Sequence, residues 1–202
     1  MSRRLFTSRD GGDLKIIAHR EALRVLLSLE DIHFMRQTHS DVVLEVVEGG
    51  EDFECDALVT TSKGVGLAAL AADCMPITFE SPGVVGVAHV GRVGLIKEIA
   101  PKTVSKMREL GATEIKATIG PSICARCYEV SFEMYREIIA EIPSTATSDQ
   151  SHCLDLQSGV TWQLNNLGVS VTNLGICTLE EAGYFSYRGG DLLERQAGII
   201  SL

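Results

Sequence analysis

The sequence predicts an α/β fold in one domain spanning residues 1–202, and three observations point there. Short apolar runs bounded by turn residues alternate with stretches whose apolar side chains recur at helical spacing. No Pro/Gly/Ser-rich linker and no repeat of fixed period interrupts that pattern. The 45% hydrophobic and 22% charged content suits one ordinary globular core and neither a disordered nor a fibrous chain.

In chain order, Leu23, Leu26 and Leu27 put a helix over residues 20–30, and apolar alternation over 32–37 gives a strand running towards His39. Runs at 42–47, 57–60, 66–71, 77–79 and 84–88 read as buried strands, with Gly49-Gly50, Ser62-Lys63-Gly64 and Ser81-Pro82-Gly83 between some of them. Pro82-Gly83 is a tight-turn signal, so Cys74 and His89 are expected close together on neighbouring strands. A helix over 95–110 is expected to kink or restart at Pro101, and 114–119 returns to strand. Ser131 caps a helix over 132–142, whose stripe of Tyr135, Ile138, Ile139 and Ile142 stops before Pro143. A surface loop at 143–151, a helix at 159–167 and a strand at 171–176 complete the alternation.

The 18 basic residues against 27 acidic ones give a net charge of −9, and the basic residues are scattered. A nucleic acid is therefore not expected as a partner, and an anionic ligand would have to meet local donors against an unfavourable long-range field. The basic start, with Arg3 and Arg4, leads into no apolar stretch, and no segment has the apolar length of a membrane span, so a cytoplasmic location without membrane attachment is expected. In that reducing compartment the six cysteines read as thiols or ligands and not as disulfides.

Three residues at strand ends concentrate the chemistry. Cys74 follows an apolar run in Ala72-Asp73-Cys74-Met75-Pro76, and His89 closes the run 84–88 ahead of Gly91 and Gly94. His39 lies in Gln37-Thr38-His39-Ser40-Asp41, where Asp41 is near enough in sequence to orient the ring. Each has a bland alternative, a cysteine packed as a small hydrophobe or a structural histidine. Together two imidazoles and one thiolate make a three-ligand set with an open fourth position, the arrangement of catalytic zinc, although the spacing matches no local zinc signature. Cys124-Ala-Arg-Cys127 has no second pair in sequence and reads as packed thiols beside Tyr128 and Val130; His19, His33 and His152 read as surface or core histidines.

These blocks, with Thr7-Ser-Arg9-Asp-Gly-Gly12, Asp56-Ala-Leu-Val-Thr60, Ile119-Gly-Pro121, Cys127-Tyr-Glu-Val130, Leu154-Asp155-Leu156 and Phe185-Ser-Tyr187-Arg188, resemble end to end the YfiH-like family. Its members were long labelled multicopper polyphenol oxidases or laccase-domain proteins and later described as purine nucleoside phosphorylases. The resemblance implies an α/β mixed-sheet sandwich with helices packed outside, similar to a cytotoxic-necrotizing-factor-type catalytic domain. It implies a metal site on His39, Cys74 and His89, with zinc as the usual metal and copper attached to the older label. It also implies phosphorolysis of adenosine, inosine and methylthioadenosine, plus adenosine deamination, so the partners would be a small-molecule nucleoside and phosphate. One cysteine and two histidines cannot supply the several copper sites of a laccase.

Within this reading Arg9 and Arg188 are candidates for holding phosphate, and Asp73 is a candidate catalytic residue that moves protons beside Cys74 and His89. Two alternatives stand beside it: a cysteine amidase or deamidase with Cys74 as nucleophile and His89 as base, and a metal-binding regulatory protein with weak turnover. The second draws on a departure from the family pattern, which usually has Ala-Gly-Trp-Arg-Gly, or its Lys form, where this chain has Val90-Gly91-Arg92-Val93-Gly94.

Overall fold

The computed structural model describes residues 2–47, 53–147 and 152–202. Along the chain run β1 (Arg3–Phe6), α1 (Ile17–Leu26), β2 (Asp31–Phe34), β3 (Val43–Glu45), β4 (Ala57–Thr60), β5 (Val65–Ala71), β6 (Met75–Ser81) and β7 (Val84–Val90). Then come α2 (Arg92–Ile96), α3 (Ile99–Glu109), β8 (Lys116–Ile119), α4 (Phe132–Glu141), α5 (Leu156–Asn166), β9 (Ser170–Asn173) and β10 (Gln196–Ser201). Gly49-Gly50 and the end of the 143–151 loop lie outside the described residues; at the start of that loop Pro143–Thr145 forms a 3-10 turn with Thr145 fully buried.

Two mixed sheets result: a four-stranded one in the order β1-β10-β5-β2 and a six-stranded one in the order β3-β4-β7-β6-β8-β9. They face each other across Leu58, Val85 and Val87 of the larger sheet and Leu67, Ala69 and Ile200 of the smaller. The other face of the larger sheet, carrying Ala88, Val90, Ile77 and Phe79, packs on Ile99, Val104 and Met107 of α3 and Val160 and Leu164 of α5. A smaller cluster of Leu14, Leu23, Ala68 and Ile199 lies on the outer side of the smaller sheet. Side chains alternate across a strand, so β7, covered on both faces, reads as a continuous apolar run. Burying a side chain such as Phe79 or Leu67 contributes roughly 1.5–3 kcal/mol, which makes these two cores the main support of the sandwich.

Several elements differ from the sequence expectation for identifiable reasons. The break between α2 and α3 falls at Glu98, whose φ of 59° is left-handed, and not at Pro101, which sits in the first turn of α3 where its missing N–H costs nothing. The last helix begins at Leu156 and not at residue 159, because the Asp155 side chain accepts from Ser158 N at 2.8 Å and caps it. Ser131 caps α4 as expected, accepting from Met134 N. β1 and β10, which periodicity does not signal, pair antiparallel with Leu5 opposite Ile199.

The chain passes between the sheets at two places that matter for function. It leaves the smaller sheet after β2 to enter the larger at β3, and again after β5 to enter it at β6. His39 lies on the first passage, Asp73 and Cys74 on the second.

Candidate metal centre

The β6–β7 hairpin turns at Pro82-Gly83 with Gly83 at φ 80°, and Pro76 stands opposite His89 in its ladder. Cys74 precedes the first paired residue and therefore lies beside His89 at the end of the hairpin remote from its turn. His39 is brought to the same place by Gln37, whose side-chain amide donates to Leu70 O and accepts from Leu70 N, both at 2.8 Å, as a strand backbone would. The His39 Nε2 to Cys74 Sγ distance is 3.9 Å, the two imidazole centroids are 4.9 Å apart, and one ligand atom from each of the three residues lies within 4.8 Å of the others.

One buried carboxylate organises both histidines. Asp56, immediately before β4, is 0% exposed; its Oδ1 accepts from His89 Nδ1 at 2.8 Å. Its Oδ2 accepts from Ser40 Oγ at 2.7 Å, from Ser40 N and from Thr38 N at 3.2 Å, which holds His39 in a left-handed conformation at φ 57°. A carboxylate can only accept, so the proton of neutral His89 sits on Nδ1 and the Nε2 lone pair is left for the site. Asp41, expected from sequence proximity to orient the ring, instead forms a surface ion pair with Lys102. The signal overlooked was an acidic residue directly preceding a fully buried strand, which needs partners in order to be there.

Close packing completes the group. A Cβ at Gly91 would stand 2.7 Å from Cys74 Sγ and 3.4 Å from His39 Cδ2, so only glycine admits the sulfur there. Burial opposes the charged forms of all three titrating partners, yet their mutual attraction wins. Against that burial, the His89 charge and hydrogen bonds from the two histidines lower the Cys74 thiol to about 6. The Cys74 thiolate and the Asp56 carboxylate raise His89 to about 9, while hydrogen bonds from His89 and Ser40 hold Asp56 at about 2. Near neutrality the ligand-free group is a thiolate–imidazolium pair backed by a carboxylate. Tetrahedral zinc with bonds of about 2.0–2.3 Å separates its ligands by roughly 3.3–3.8 Å, so the donors need only small rotations to converge on one ion.

The remaining candidates are placed differently. Asp73, 7% exposed with φ 85°, accepts at 2.7 Å each from Thr178 Oγ1, Ser186 Oγ and Arg188 N, so both its oxygens serve the 174–190 segment. The Arg188 guanidinium lies 5.0 Å from the Tyr128 ring centre and donates to Glu129 O. Arg9 is ion-paired with Asp191, donates to Tyr184 O and covers the Phe185 ring. Arg92 and Val93 open α2 directly behind Gly91, both half-buried. Cavities of about 300 Å³ beside α5 and about 430 Å³ near the β6–β7 turn are lined by none of the three ligands. His19 and His33 are held by Asp13 O and against Phe53, and His152 packs at a tilt against Phe132; no helix among the described residues is long and apolar enough to cross a membrane.

Known proteins resemble this chain along most of its length. A purine nucleoside phosphorylase of Streptomyces griseus is 41% identical over 199 residues, covering 92% of this chain and 80% of its own. One of Corynebacterium glutamicum is 36% identical over 87% of this chain and 76% of its own. Among solved structures, a Neisseria meningitidis protein of the DUF152 family superposes with a TM-score of 0.88 at 25% identity, covering 100% of this chain and 94% of its own. The Bacillus licheniformis protein YfiH has a TM-score of 0.85 at 24% identity, over 100% and 92% of the two chains, and shares the fold. The family model described as multi-copper polyphenol oxidoreductase laccase matches residues 6–202, so the chain belongs to that laccase-like, YfiH/DUF152 family.

Proposed function

We propose that this protein is a metal-dependent purine nucleoside phosphorylase acting on adenosine, inosine and methylthioadenosine, with adenosine deamination as a second reaction of the same centre. The observation that carries the reading is the convergence of His39, Cys74 and His89 with Asp56 behind them, in a chain 41% identical to a relative of that name. The donor set fits zinc, with copper the alternative ion, because a thiolate and imidazoles suit a borderline metal and three protein ligands leave one position open. When bound, the ion supplies Lewis acidity at that open position.

The chain's own residues account for the rest. Asp56 keeps the His89 proton on Nδ1, and Gly91 admits the Cys74 sulfur. Arg188 is the guanidinium better suited to inorganic phosphate, because its backbone is tied to Asp73 beside Cys74; Arg9 would first have to leave Asp191. With both its oxygens occupied, Asp73 acts by positioning that segment and not by carrying protons. In phosphorolysis the bond from the sugar to the purine breaks and one from the sugar to a phosphate oxygen forms, so purine release must require phosphate. Turnover of inosine and adenosine, with and without phosphate and at measured metal content, tests this; purine release that ignores phosphate refutes it, and ammonia release from adenosine reports deamination.

A second reading has its own support. The pairing of a thiol lowered to about 6 with a histidine raised to about 9 and a buried carboxylate is a nucleophile–base–orienter arrangement, suited to a cysteine amidase. Chelation separates the two, since it abolishes phosphorolysis and leaves thiol-dependent amide hydrolysis intact.

A further inference from the structure

Cys124-Ala-Arg-Cys127 lacks a second pair in sequence, but the fold supplies one. The segment after β8 and the segment after β9 run side by side, with Ser122 bridged to Cys177, Ser122 N donating to Ile176 O at 3.1 Å and Thr178 N to Ser122 O at 3.2 Å. This places Cys177 and Glu180 against Cys124 and Cys127, and one ligand atom from each of the four lies within 4.8 Å of the others. All three cysteines are free thiols. Cys124 N donates to Cys177 Sγ at 3.4 Å, Cys127 Sγ to Glu180 Oε1 at 3.6 Å, and the Cys127 and Tyr128 amides fold back on Cys124 O at 3.0 and 3.1 Å. The turn keeps both of its sulfurs in one cluster with Cys177 and Glu180, and its amide donates to the Cys177 sulfur as outer-shell donors do to metal-binding thiolates.

We propose that Cys124, Cys127, Cys177 and Glu180 form a second, structural zinc site, separate from the centre at His39, Cys74 and His89. Three thiolates reject magnesium and calcium, and four protein ligands leave no open position, which is the closed form of a structural site. Three thiolates and a carboxylate exceed the charge of a divalent ion; the Arg126 guanidinium, 2.8 Å from Glu180 Oε2, supplies part of the difference. The ion ties together the two segments that hold Asp73, since Ile123 N donates to Asp73 O and Thr178, Ser186 and Arg188 donate to its carboxylate. It thereby stiffens the wall beside Cys74 without touching the reacting centre.

The test is zinc analysis of full-length protein equilibrated with zinc and passed over a desalting column. The expected content is about two ions per chain for the wild type and about one for Cys74→Ala, with that remaining ion lost when Cys124→Ser and Cys177→Ser are added. Cobalt loaded into Cys74→Ala should give tetrahedral d–d bands and a thiolate charge-transfer band sized for three sulfurs, and chelation should lower its melting temperature by several degrees. If the triple variant does not fold, Cys74→Ala alone decides. Zinc-free Cys74→Ala protein, or cobalt bands without thiolate character, overturns the proposal and leaves the nucleoside reading untouched.

Discussion

Replacing Asp56 with Asn keeps the volume and removes the charge from a position that is 0% exposed. The wild-type carboxylate accepts from His89 Nδ1, Ser40 N, Ser40 Oγ and Thr38 N. An asparagine oxygen can still accept from the Thr38–Ser40 turn, which turns its NH₂ towards His89 Nδ1; two donors then face each other and the imidazole proton moves to Nε2. The lone pair that served the metal is lost from the site. Loss of such an outer carboxylate commonly costs about 10–100-fold in metal affinity, or roughly 1.4–2.8 kcal/mol. Competition of the protein with a chromophoric chelator for zinc reads this directly, and Cys124→Ser with Cys177→Ser in both proteins keeps the other cluster out of the titration. Asp41→Asn is the control: it removes the neighbouring carboxylate in sequence, which pairs with Lys102 at the surface, and should leave affinity within about twofold. Equal losses in the two variants, or none in Asp56→Asn, would refute the assignment of Asp56.

Metal uptake at the His39–Cys74–His89 group should release about one proton near pH 7.5, because the thiol lowered to about 6 is already ionised while His89, raised to about 9, must give up its proton; calorimetry in buffers of different ionisation enthalpy measures it. The sign follows for acid: as pH falls through about 6 the thiolate is protonated, and affinity should fall steeply below that point. Gly91→Ala should push the sulfur away and lower metal affinity at least about tenfold with the fold kept, as judged by zinc competition and circular dichroism. Arg92→Trp with Val93→Arg should raise phosphorolysis roughly 10–100-fold at equal metal content by adding stacking and charge beside His89; steady-state rates that rise with neither inosine nor adenosine refute this, and rates that fall point to Arg92 itself supplying the charge.

The centre of the larger sheet was legible because β4 and β7 are buried on both faces: Ala57–Thr60 and residues 84–88 announce themselves as nearly continuous apolar runs. β1 was not, since it opens on two arginines, of which Arg4 turns inward to Thr118 and Glu80, and a four-residue edge strand leaves no periodicity to read. The same division holds for the centre. Pro82-Gly83 foretells that Cys74 and His89 meet, because a hairpin is a local device. That Asp56, and not Asp41, holds the histidines depends on β4 pairing with β7, and Cys177 reaches Cys124 only through β8 pairing with β9. Partnerships made by strand order across 33 residues, as for Asp56 and His89, or 53, as for Cys124 and Cys177, leave no spacing in the sequence to find.

His39 and Cys74 stand on two of the passages between the sheets, while His89 belongs to the larger sheet alone. An ion shared by these three would be a rivet through a lap joint: it fixes how far one layer can slide over the other at a single edge, while the opposite edge is free to breathe. Amides of Phe34, Met35 and Ala71 would then exchange with solvent more slowly in the loaded protein, and those of Ser81 and Val84, at the hairpin's other end, would keep their rates. The bound ion would set the play of the sandwich as well as the reach of its ligands.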